Sequence, residues 1–308
     1  MTADRSAGFR ALLGRSLTDL VDDGVATLVA SGLLWGEGPV YWPAQRRWIF
    51  SDIPNNRMLA WSHDGGLQTF RAPSNFANGS TLDVDGNLLT CEHGTRRVVR
   101  TSPRGDVGVV CDGFEGRHLN SPNDVVQHTD GSIWFSDPTY GILSDVEGYR
   151  APSEQAANRV YRVDPTSGQA TAEVSQLRMP NGLCFSPNGR RLYVADSGAD
   201  MGPDVAFDPD GPRDVHAFDL DDDGRVAGVG ALFAEASAGV PDGLRCDEAG
   251  YLWVATGAGL ECFRADGSRE GILTTPETLS NLAFGGDGGA NMMLALATSA
   301  YVLTPPET

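Results

Sequence analysis

Six positions along the chain carry an oxygen-bearing polar side chain directly before an apolar segment, and side chains of these types could bind a cation. They are two carboxylates and four carboxamides, at Glu37, Asn78, Asn123, Asn181, Asp242 and Asn281. Because no His or Cys stands among them, the set is typical of a hard cation such as Ca²⁺, Mg²⁺ or Mn²⁺. Ca²⁺ accepts mixed carboxylate and carbonyl donors at irregular angles, so Ca²⁺ is the cation that we expect.

The six positions stand in register with a repeat that fills most of the chain. Each repeat continues with an apolar strand, a glycine-containing turn, a second apolar strand and, in several repeats, a third strand. The inner turns occur at matching offsets, at residues 83–87, 128–132, 186–190 and 247–251, which is the signature of hairpins. Any one Asn-Gly or Asp-Gly pair could be a simple turn, but six positions in register, with glutamate at one of them, are harder to explain in that way.

The repeats predict an all-β fold, a six-bladed β-propeller that forms a single domain over residues 25–308. Their spacing of roughly 40 to 60 residues is typical of propeller blades with loops of variable length. Residues 26–35 are expected to form the outer strand that closes the ring against the last blade and hides the strand edges. A β-sandwich with irregular turns is the alternative, but it gives no reason for six matched openings.

Residues 1–24 are expected to form a helical N-terminal extension. Apolar side chains recur at helical spacing over residues 9–21, which predicts one short amphipathic helix. These side chains are Phe9, Leu12, Leu13, Leu17, Leu20 and Val21.

In a propeller, the first strand of every blade lines the central channel, so equivalent positions of successive blades converge although they are far apart in sequence. The six oxygen-bearing side chains should therefore meet at one end of the channel. Two buried carboxylates, Glu37 and Asp242, would repel each other there, and a shared divalent cation would remove that cost.

The composition excludes several classes of function. With 41 Asp and Glu against 23 Lys and Arg, the formal net charge is −18, which argues against binding to nucleic acid or to anionic membranes. The five cysteines are scattered without a C-x-x-C pair, so we expect reduced, mostly buried thiols instead of a zinc site or a disulfide framework. The N-terminus lacks a secretory signal, which predicts a cytoplasmic protein, or a periplasmic one if a leader has been removed.

Three further observations carry less weight. Residues 219–224 match the start of an EF-hand loop, but Gly230 stands at the twelfth position, so we expect a solvated hairpin turn. No G-x-S-x-G motif supports a serine hydrolase. The Asp-rich segment 196–214 is an insertion in the fourth blade that either lies over the channel mouth or is simply exposed.

Taken together, these motifs resemble the gluconolactonase and senescence-marker-protein (regucalcin-like) family of calcium-dependent lactonases. The resemblance covers about residues 35–285 and is carried, in the family's order, by Trp35-Gly36-Glu37-Gly38-Pro39, Cys91-Glu92-His93 with Arg96-Arg97-Val98, Asn120-Ser121-Pro122-Asn123-Asp124-Val125, Trp134-Phe135-Ser136-Asp137-Pro138, Pro180-Asn181-Gly182-Leu183 and Pro241-Asp242-Gly243-Leu244. It implies that Glu37, Asn181 and Asp242 bind Ca²⁺, with Mg²⁺, Mn²⁺ or Zn²⁺ as substitutes. Asn123 would be a fourth ligand or would contact the substrate.

The chain departs from the family at one position. The regucalcin-like branch has arginine two residues before Asn123, whereas this chain has Ser121, as the bacterial gluconolactonase-like branch does. Arg117 or His118 would be candidates for a replacement donor. His93, at the end of a second strand, is either a proton carrier near the substrate or a hydrogen-bonded structural histidine.

The resemblance implies a hydrolase that opens a small-molecule sugar lactone. The cation would act as a Lewis acid on the carbonyl oxygen, and Asp242 would serve as general base on the attacking water. Asn123 and Asn78 would orient the ring, with Trp35, Tyr140 and Phe207 as an apolar rim. Two alternatives remain: an organophosphate or ester hydrolase that uses the same site, and a non-catalytic calcium-binding propeller.

Overall fold

Six four-stranded antiparallel sheets follow one another along the chain in this computed structural model. It describes residues 7–202 and 205–305, without the side chain of Asp287. Residues 1–6 of the predicted extension, residues 203–204 of the Asp-rich insertion and residues 306–308 lie outside the described residues. In five sheets the strands pair in sequence order, and in the sixth the order is changed by one strand from the other end of the chain.

We number the sheets as blades 1 to 6 and give their strands from the channel outwards. Blades 1 to 3 consist of Gly36–Trp42, Arg47–Asp52, Arg57–Ser62 and Gly66–Arg71; Ala77–Leu82, Leu88–Glu92, Arg97–Thr101 and Val107–Cys111; and Val125–Gln127, Ile133–Asp137, Arg159–Val163 and Ala170–Val174. Blades 4 to 6 consist of Pro180–Phe185, Arg191–Asp196, Asp214–Asp219 and Ala231–Glu235; Leu244–Cys246, Leu252–Thr256, Gly259–Phe263 and Arg269–Thr274; and Leu279–Gly285, Asn291–Leu296, Ser299–Leu303 and Ala26–Ser31.

Few elements lie outside the blades. They are the helices Ala7–Arg10, Leu17–Asp22 and Tyr140–Leu143, the 3-10 turns Pro43–Gln45 and Asp287–Gly289, and a small hairpin of Gly113–Phe114 with Arg117–His118. No helix within the described residues is long and apolar enough to span a membrane.

The ring closes as the sequence predicts. Ala26–Ser31 pairs antiparallel with Ser299–Leu303 and so becomes the outer strand of blade 6. The inner strand of each blade contacts the inner strand of the next blade, and that of blade 6 contacts that of blade 1. The prediction of a six-bladed propeller with a helical N-terminal segment is therefore confirmed.

Three of the four predicted hairpin turns share one hydrogen-bond pattern, and in the fourth Ser186 N–H donates to Arg191, one residue further on. In the turn of blade 2, Asp83 N–H donates to the carbonyl of Asn87 at 2.9 Å and Gly86 N–H donates back to that of Asp83. The glycines of the four predicted turns have φ between 67° and 88°, a conformation that glycine adopts without strain. The EF-hand-like segment forms the same turn, closed from Gly224 to Asp221, and is thus a hairpin turn as expected.

The N-terminal segment forms two short helices instead of the single helix predicted. Gly14, between the two helices, has φ of 85°, which prevents one continuous helix. The Ser16 hydroxyl then accepts a hydrogen bond from Asp19 N–H and caps the second helix. Phe9 packs edge-on against Trp253 of blade 5 and Phe284 of blade 6. The segment thus covers the junction between the last two blades.

Apolar side chains between neighbouring blades form the core. One such cluster joins Leu89 and Cys91 of blade 2 to Val125 and Phe135 of blade 3, and other clusters join further blades in the same manner. All five cysteines are free and four of them are buried, as the sequence predicts.

Glycines next to the channel allow the inner strands to approach one another closely. The glycine that follows the oxygen-bearing residue packs against the equivalent part of the next blade in four cases: Gly38, Gly79, Gly182 and Gly243. At Gly182, for example, a Cβ atom would overlap with the carbonyl oxygen of Asp242. The Asn-Gly and Asp-Gly pairs are therefore needed for packing at the channel and are not simple turn residues.

We expect Gly182→Ala to lower the free energy of unfolding by about 2 kcal/mol or more, because the new methyl group has no room against the backbone of blade 5. Gly108→Ala is the matched control, since a Cβ atom at that strand position meets nothing within 4 Å, and it should change stability by less than about 0.5 kcal/mol. Urea unfolding of both variants measures the difference. Equal stabilities would contradict the packing role of Gly182.

Candidate metal centre and active site

One cavity of about 580 Å³ lies at the channel mouth. Five of the six oxygen-bearing residues line it: Glu37, Asn78, Asn123, Asn181 and Asp242. The sixth, Asn281, is buried behind Glu37 and donates a hydrogen bond from Nδ2 to Glu37 Oε2 at 2.8 Å. The structure thus brings together all four predicted cation ligands, and Asn281 supports one of them.

Irregular strand pairing aims these side chains at the cavity. The pairing register of the inner strand shifts just after Glu37 in blade 1, and across Asn78 and Asn181 in blades 2 and 4. A bulge of this kind bends a strand and turns its side chains away from their regular direction. Side chains that would otherwise alternate between the two faces of a blade can therefore point along the channel.

Buried acids at the ends of the second strands hold the chain where it approaches the channel. Asp52 accepts a hydrogen bond from Leu34 N–H at 3.0 Å, and Asp137 accepts one from Asn120 N–H at 2.8 Å. Asp196 does the same for the backbone just before Asn181, with Met179 N–H as donor at 2.8 Å. These three acids, of which Asp137 belongs to the family-like motifs, therefore hold the backbone that leads to the channel residues.

The carboxylates of Glu37 and Asp242 oppose each other electrostatically. Burial raises the pKa of Glu37 to about 7, although hydrogen bonds from Asn281 and from Gly38 N–H act in the opposite direction. Burial, followed by the charge of Glu37, holds the pKa of Asp242 well above its usual range. A divalent cation between them would reverse both effects.

The donor set fits a hard cation. Within the described residues, no three or more His, Cys, Asp or Glu side chains are grouped so that they could hold a metal. The candidate site instead combines two carboxylates with the amide oxygens of Asn123 and Asn181. Calcium accepts this mixture of ligands, whereas zinc sites usually require His or Cys.

His93 fixes the orientation of Asn78. Its Nδ1 lies 2.9 Å from the carbonyl oxygen of Glu147, which can only accept, so Nδ1 carries the proton. Burial lowers the pKa of His93 to about 4, so the ring is neutral near pH 7 and its Nε2 accepts from Asn78 Nδ2 at 3.1 Å. The Oδ1 atom of Asn78 is buried and has no hydrogen-bond partner among the described residues. This oxygen is available to a ligand, while His93 lies behind Asn78 and outside the cavity lining.

The Asp-rich insertion lies over the channel mouth, which is one of the two alternatives left by the sequence. Asp200, Val205 and Phe207 line the cavity, and Tyr140 donates a hydrogen bond from its hydroxyl to the carbonyl of Asp200 at 2.9 Å. The expected apolar residues Trp35, Tyr140 and Phe207 all line the cavity.

Two acids of the cavity were missed by the sequence interpretation. Glu147 and Asp200 lie in irregular loops between blade strands, where no repeat register indicates what a side chain faces. Burial raises the pKa of Glu147 to about 7, and the charge of Asp200 adds to this effect.

The residues considered as substitutes for the family's arginine lie elsewhere. Ser121 is fully buried and donates from Oγ to the carbonyl of Pro138 at 2.7 Å, while it accepts from Gly141 N–H at 2.9 Å. Arg117 and His118 are exposed in the small hairpin and do not line the cavity. Ser121 therefore anchors the short helix that carries Tyr140.

Comparison with known proteins agrees with this architecture. Residues 35–298 match the family described as SMP-30/Gluconolactonase/LRE-like region. The chain belongs to this family. It is 31% identical over 288 residues to a gluconolactonase of Zymomonas mobilis subsp. mobilis. The aligned region covers 85% of this chain and 76% of that protein.

Solved structures of related proteins share the fold. A gluconolactonase of Xanthomonas campestris superimposes with a TM-score of 0.82 at 31% identity, over 91% of this chain and 89% of that one. The calcium-binding protein regucalcin of Agrobacterium tumefaciens has a TM-score of 0.71 at 19% identity, over 90% and 94% of the two chains. At that identity the likeness to regucalcin shows the fold alone.

We expect the stability of the wild-type protein, relative to a His93→Gln variant, to fall as the pH is lowered from about 6.5 to about 4. The pKa of His93 is lowered to about 4 from an ordinary value of 6.5, so in this window the unfolded chain binds a proton that the folded protein does not. The difference should reach about 3 kcal/mol at the acid end.

Guanidinium unfolding at several pH values measures this difference. His63→Gln is the control, because that side chain is exposed. If the His93→Gln and wild-type stabilities change in parallel with pH, His93 is not held neutral by burial.

Proposed function

We propose that the protein is a metal-dependent hydrolase that opens a sugar lactone, with Ca²⁺ as the preferred cation. The observation that carries the proposal is that Glu37, Asn123, Asn181 and Asp242 line one cavity although they come from four different blades. Membership of the family and likeness to two gluconolactonases at 31% identity support it.

Glu37, Asn181 and Asp242 would hold the cation, with Asn123 as a fourth ligand or as a substrate contact. A bound divalent cation would supply Lewis-acid polarisation of the lactone carbonyl. Asn281 keeps Glu37 in place through its hydrogen bond and so acts on the ligand from behind.

Asp242 is the proposed general base. Its carboxylate would help to hold the cation and would accept a proton from a water molecule. The water oxygen then bonds to the carbonyl carbon, the ring C–O bond breaks, and the proton passes to the ring oxygen, which becomes a hydroxyl of the product. Asp242 is thereby regenerated, and one water has been added to one lactone.

Asparagine side chains would orient the substrate. Oδ1 of Asn78 is free for a hydroxyl donor, because His93 holds the amide nitrogen of that side chain. Asn123 offers a second carboxamide in the same cavity. Glu147 and Asp200 add negative charge near the mouth, which favours the departure of an anionic hydroxy acid.

An ester or organophosphate hydrolase that uses the same centre is a second candidate. The apolar side chains around the mouth favour it, because they could receive an aryl or alkyl group. They are Trp35, Ile53, Val205, Phe207, Val240 and Leu279.

We expect Glu37→Gln and Asp242→Asn each to lower kcat/KM for glucono-1,5-lactone by at least about a hundredfold, because each removes a ligand and the second also removes the base. EDTA should abolish wild-type activity, and added Ca²⁺ should restore it. Asp64→Asn is the control, since that carboxylate is fully exposed on blade 1. Full hydrolysis by both variants in EDTA would contradict the proposed centre.

The same preparations show whether the variants are folded. In cation-free buffer, Glu37→Gln should melt at the same temperature as the wild type or higher, because it removes one of two opposed buried carboxylates. A metal that raises the melting temperature of the wild type, while no lactone or ester is hydrolysed, would favour a non-catalytic calcium-binding propeller.

We further expect kcat/KM for glucono-1,5-lactone to exceed that for an aryl phosphotriester by at least about tenfold. The asparagine oxygens of the cavity suit a polyhydroxylated ring, whereas a phosphotriester offers no hydroxyl donor. Parallel steady-state assays measure the ratio. A ratio below one, together with selective loss of the phosphotriester reaction in Phe207→Ala, would favour the second candidate.

A further inference from the structure

A buried ion pair crosses the channel beneath the cavity. Asp124 Oδ2 lies 3.1 Å from Nη1 of Arg245, and the two side chains are 1% and 14% exposed. Asp124 belongs to blade 3 and Arg245 to blade 5, with all of blade 4 between them, so the contact bridges two blades that are not neighbours.

The pair occupies a position where the repeat is interrupted. Four blades have glycine after the oxygen-bearing residue, but blade 3 has Asp124 there. Its Oδ1 accepts from Val125 N–H at 2.9 Å and packs against Gly79 of blade 2. Arg245 follows Asp242 by three residues on the inner strand of blade 5. Asp124 stands one residue after the proposed ligand Asn123, and Arg245 stands three residues after the proposed ligand Asp242. Both members of the pair therefore lie deeper in the channel than these ligands.

Few other groups contact the guanidinium. Nη1 of Arg245 also donates to the carbonyl of Leu244 at 2.7 Å, while its Nη2 is buried without a partner among the described residues. Asp124 is thus the principal counter-charge of Arg245. Removing either one would leave the other as an unpaired buried charge.

The charges of the pair act on the proposed cation ligands Glu37 and Asp242. The charge of Asp124 disfavours ionisation of both Glu37 and Asp242, and that of Arg245 favours ionisation of Glu37. Glu147 and Asp200 line the same cavity, and their charges also disfavour ionisation of Asp242, so Arg245 is a positive charge in an otherwise acidic environment.

We propose that Asp124 and Arg245 form an internal charge pair that sets the affinity of the channel for its divalent cation. Arg245 offsets the charge of Asp124, so the cation responds to the carboxylates that line the cavity and not to Asp124. The two residues are positioning residues: they act through the field at the ligands and contact neither cation nor substrate. This inference rests on the proposed cation site.

Calcium titration calorimetry on EDTA-stripped protein tests it. Asp124→Asn leaves the positive charge of Arg245 unbalanced, so the Kd for Ca²⁺ should rise at least about tenfold. Adding Arg245→Met to that variant removes the unbalanced charge, and the Kd of the double variant should return to within about threefold of the wild type. Arg245→Met alone should bind Ca²⁺ no more weakly than the wild type, and Arg245→Lys, which keeps the charge, should match it.

The double variant separates charge from packing. If Asp124→Asn/Arg245→Met binds Ca²⁺ as weakly as Asp124→Asn, or more weakly, the pair acts by packing and the inference is wrong. Should Asp124→Asn fail to fold by circular dichroism, Arg245→Met decides: weaker Ca²⁺ binding than in the wild type overturns the inference.

The parallel wild-type measurements distinguish this result from failure of the proposed function. A wild-type protein that binds no divalent cation overturns the cation site and the inference together. A wild-type protein that binds Ca²⁺ but hydrolyses no lactone overturns the proposed activity only, and the ordering of the four Kd values still tests the charge pair.

Discussion

The antiparallel pairing of Ala26–Ser31 with Ser299–Leu303 is the interaction on which the rest of the structure depends. It joins the two ends of the chain in one blade, so the six sheets form a ring with an inner strand from every blade around the channel. Without it, blade 6 would lack its outer strand and expose an unpaired edge. The alignment of five oxygen-bearing side chains around one cavity requires that the ring be complete, because each side chain comes from a different blade.

Close approach at the axis explains much of the local sequence. In four blades the glycine after the channel residue allows the inner strand to touch the next one, and the bulges turn the polar side chains towards the cavity. The same arrangement has an electrostatic cost, because Glu37 and Asp242 are brought together in a poorly solvated place. A divalent cation between the two carboxylates would offset this cost, which supports the proposed cation site.

Some residues at the channel have roles that differ from those of the residues lining the cavity. Asp124 stands where four blades have glycine and pairs across the channel with Arg245. Of the six oxygen-bearing residues in register, Asn281 is the one that does not line the cavity, and it holds Glu37 through a hydrogen bond. His93 sets the orientation of Asn78 without reaching the cavity. In each case the residue acts on a neighbour instead of contacting a ligand directly.

The sequence by itself determined the propeller, the strand that closes it, and the convergence of Glu37, Asn78, Asn123, Asn181 and Asp242. The reason is that residues at the same position in successive repeats occupy equivalent places around the propeller axis. Only the tertiary structure decided that Asn281 lies behind Glu37, that Glu147 and Asp200 face the cavity, and that the N-terminal segment breaks into two helices. It also decided the pairing of Asp124 with Arg245, which are 121 residues apart. Irregular loops have no repeat register from which the direction of a side chain could be predicted. Which buried charges pair depends on their distance in the folded protein, and periodicity along the chain does not determine that distance.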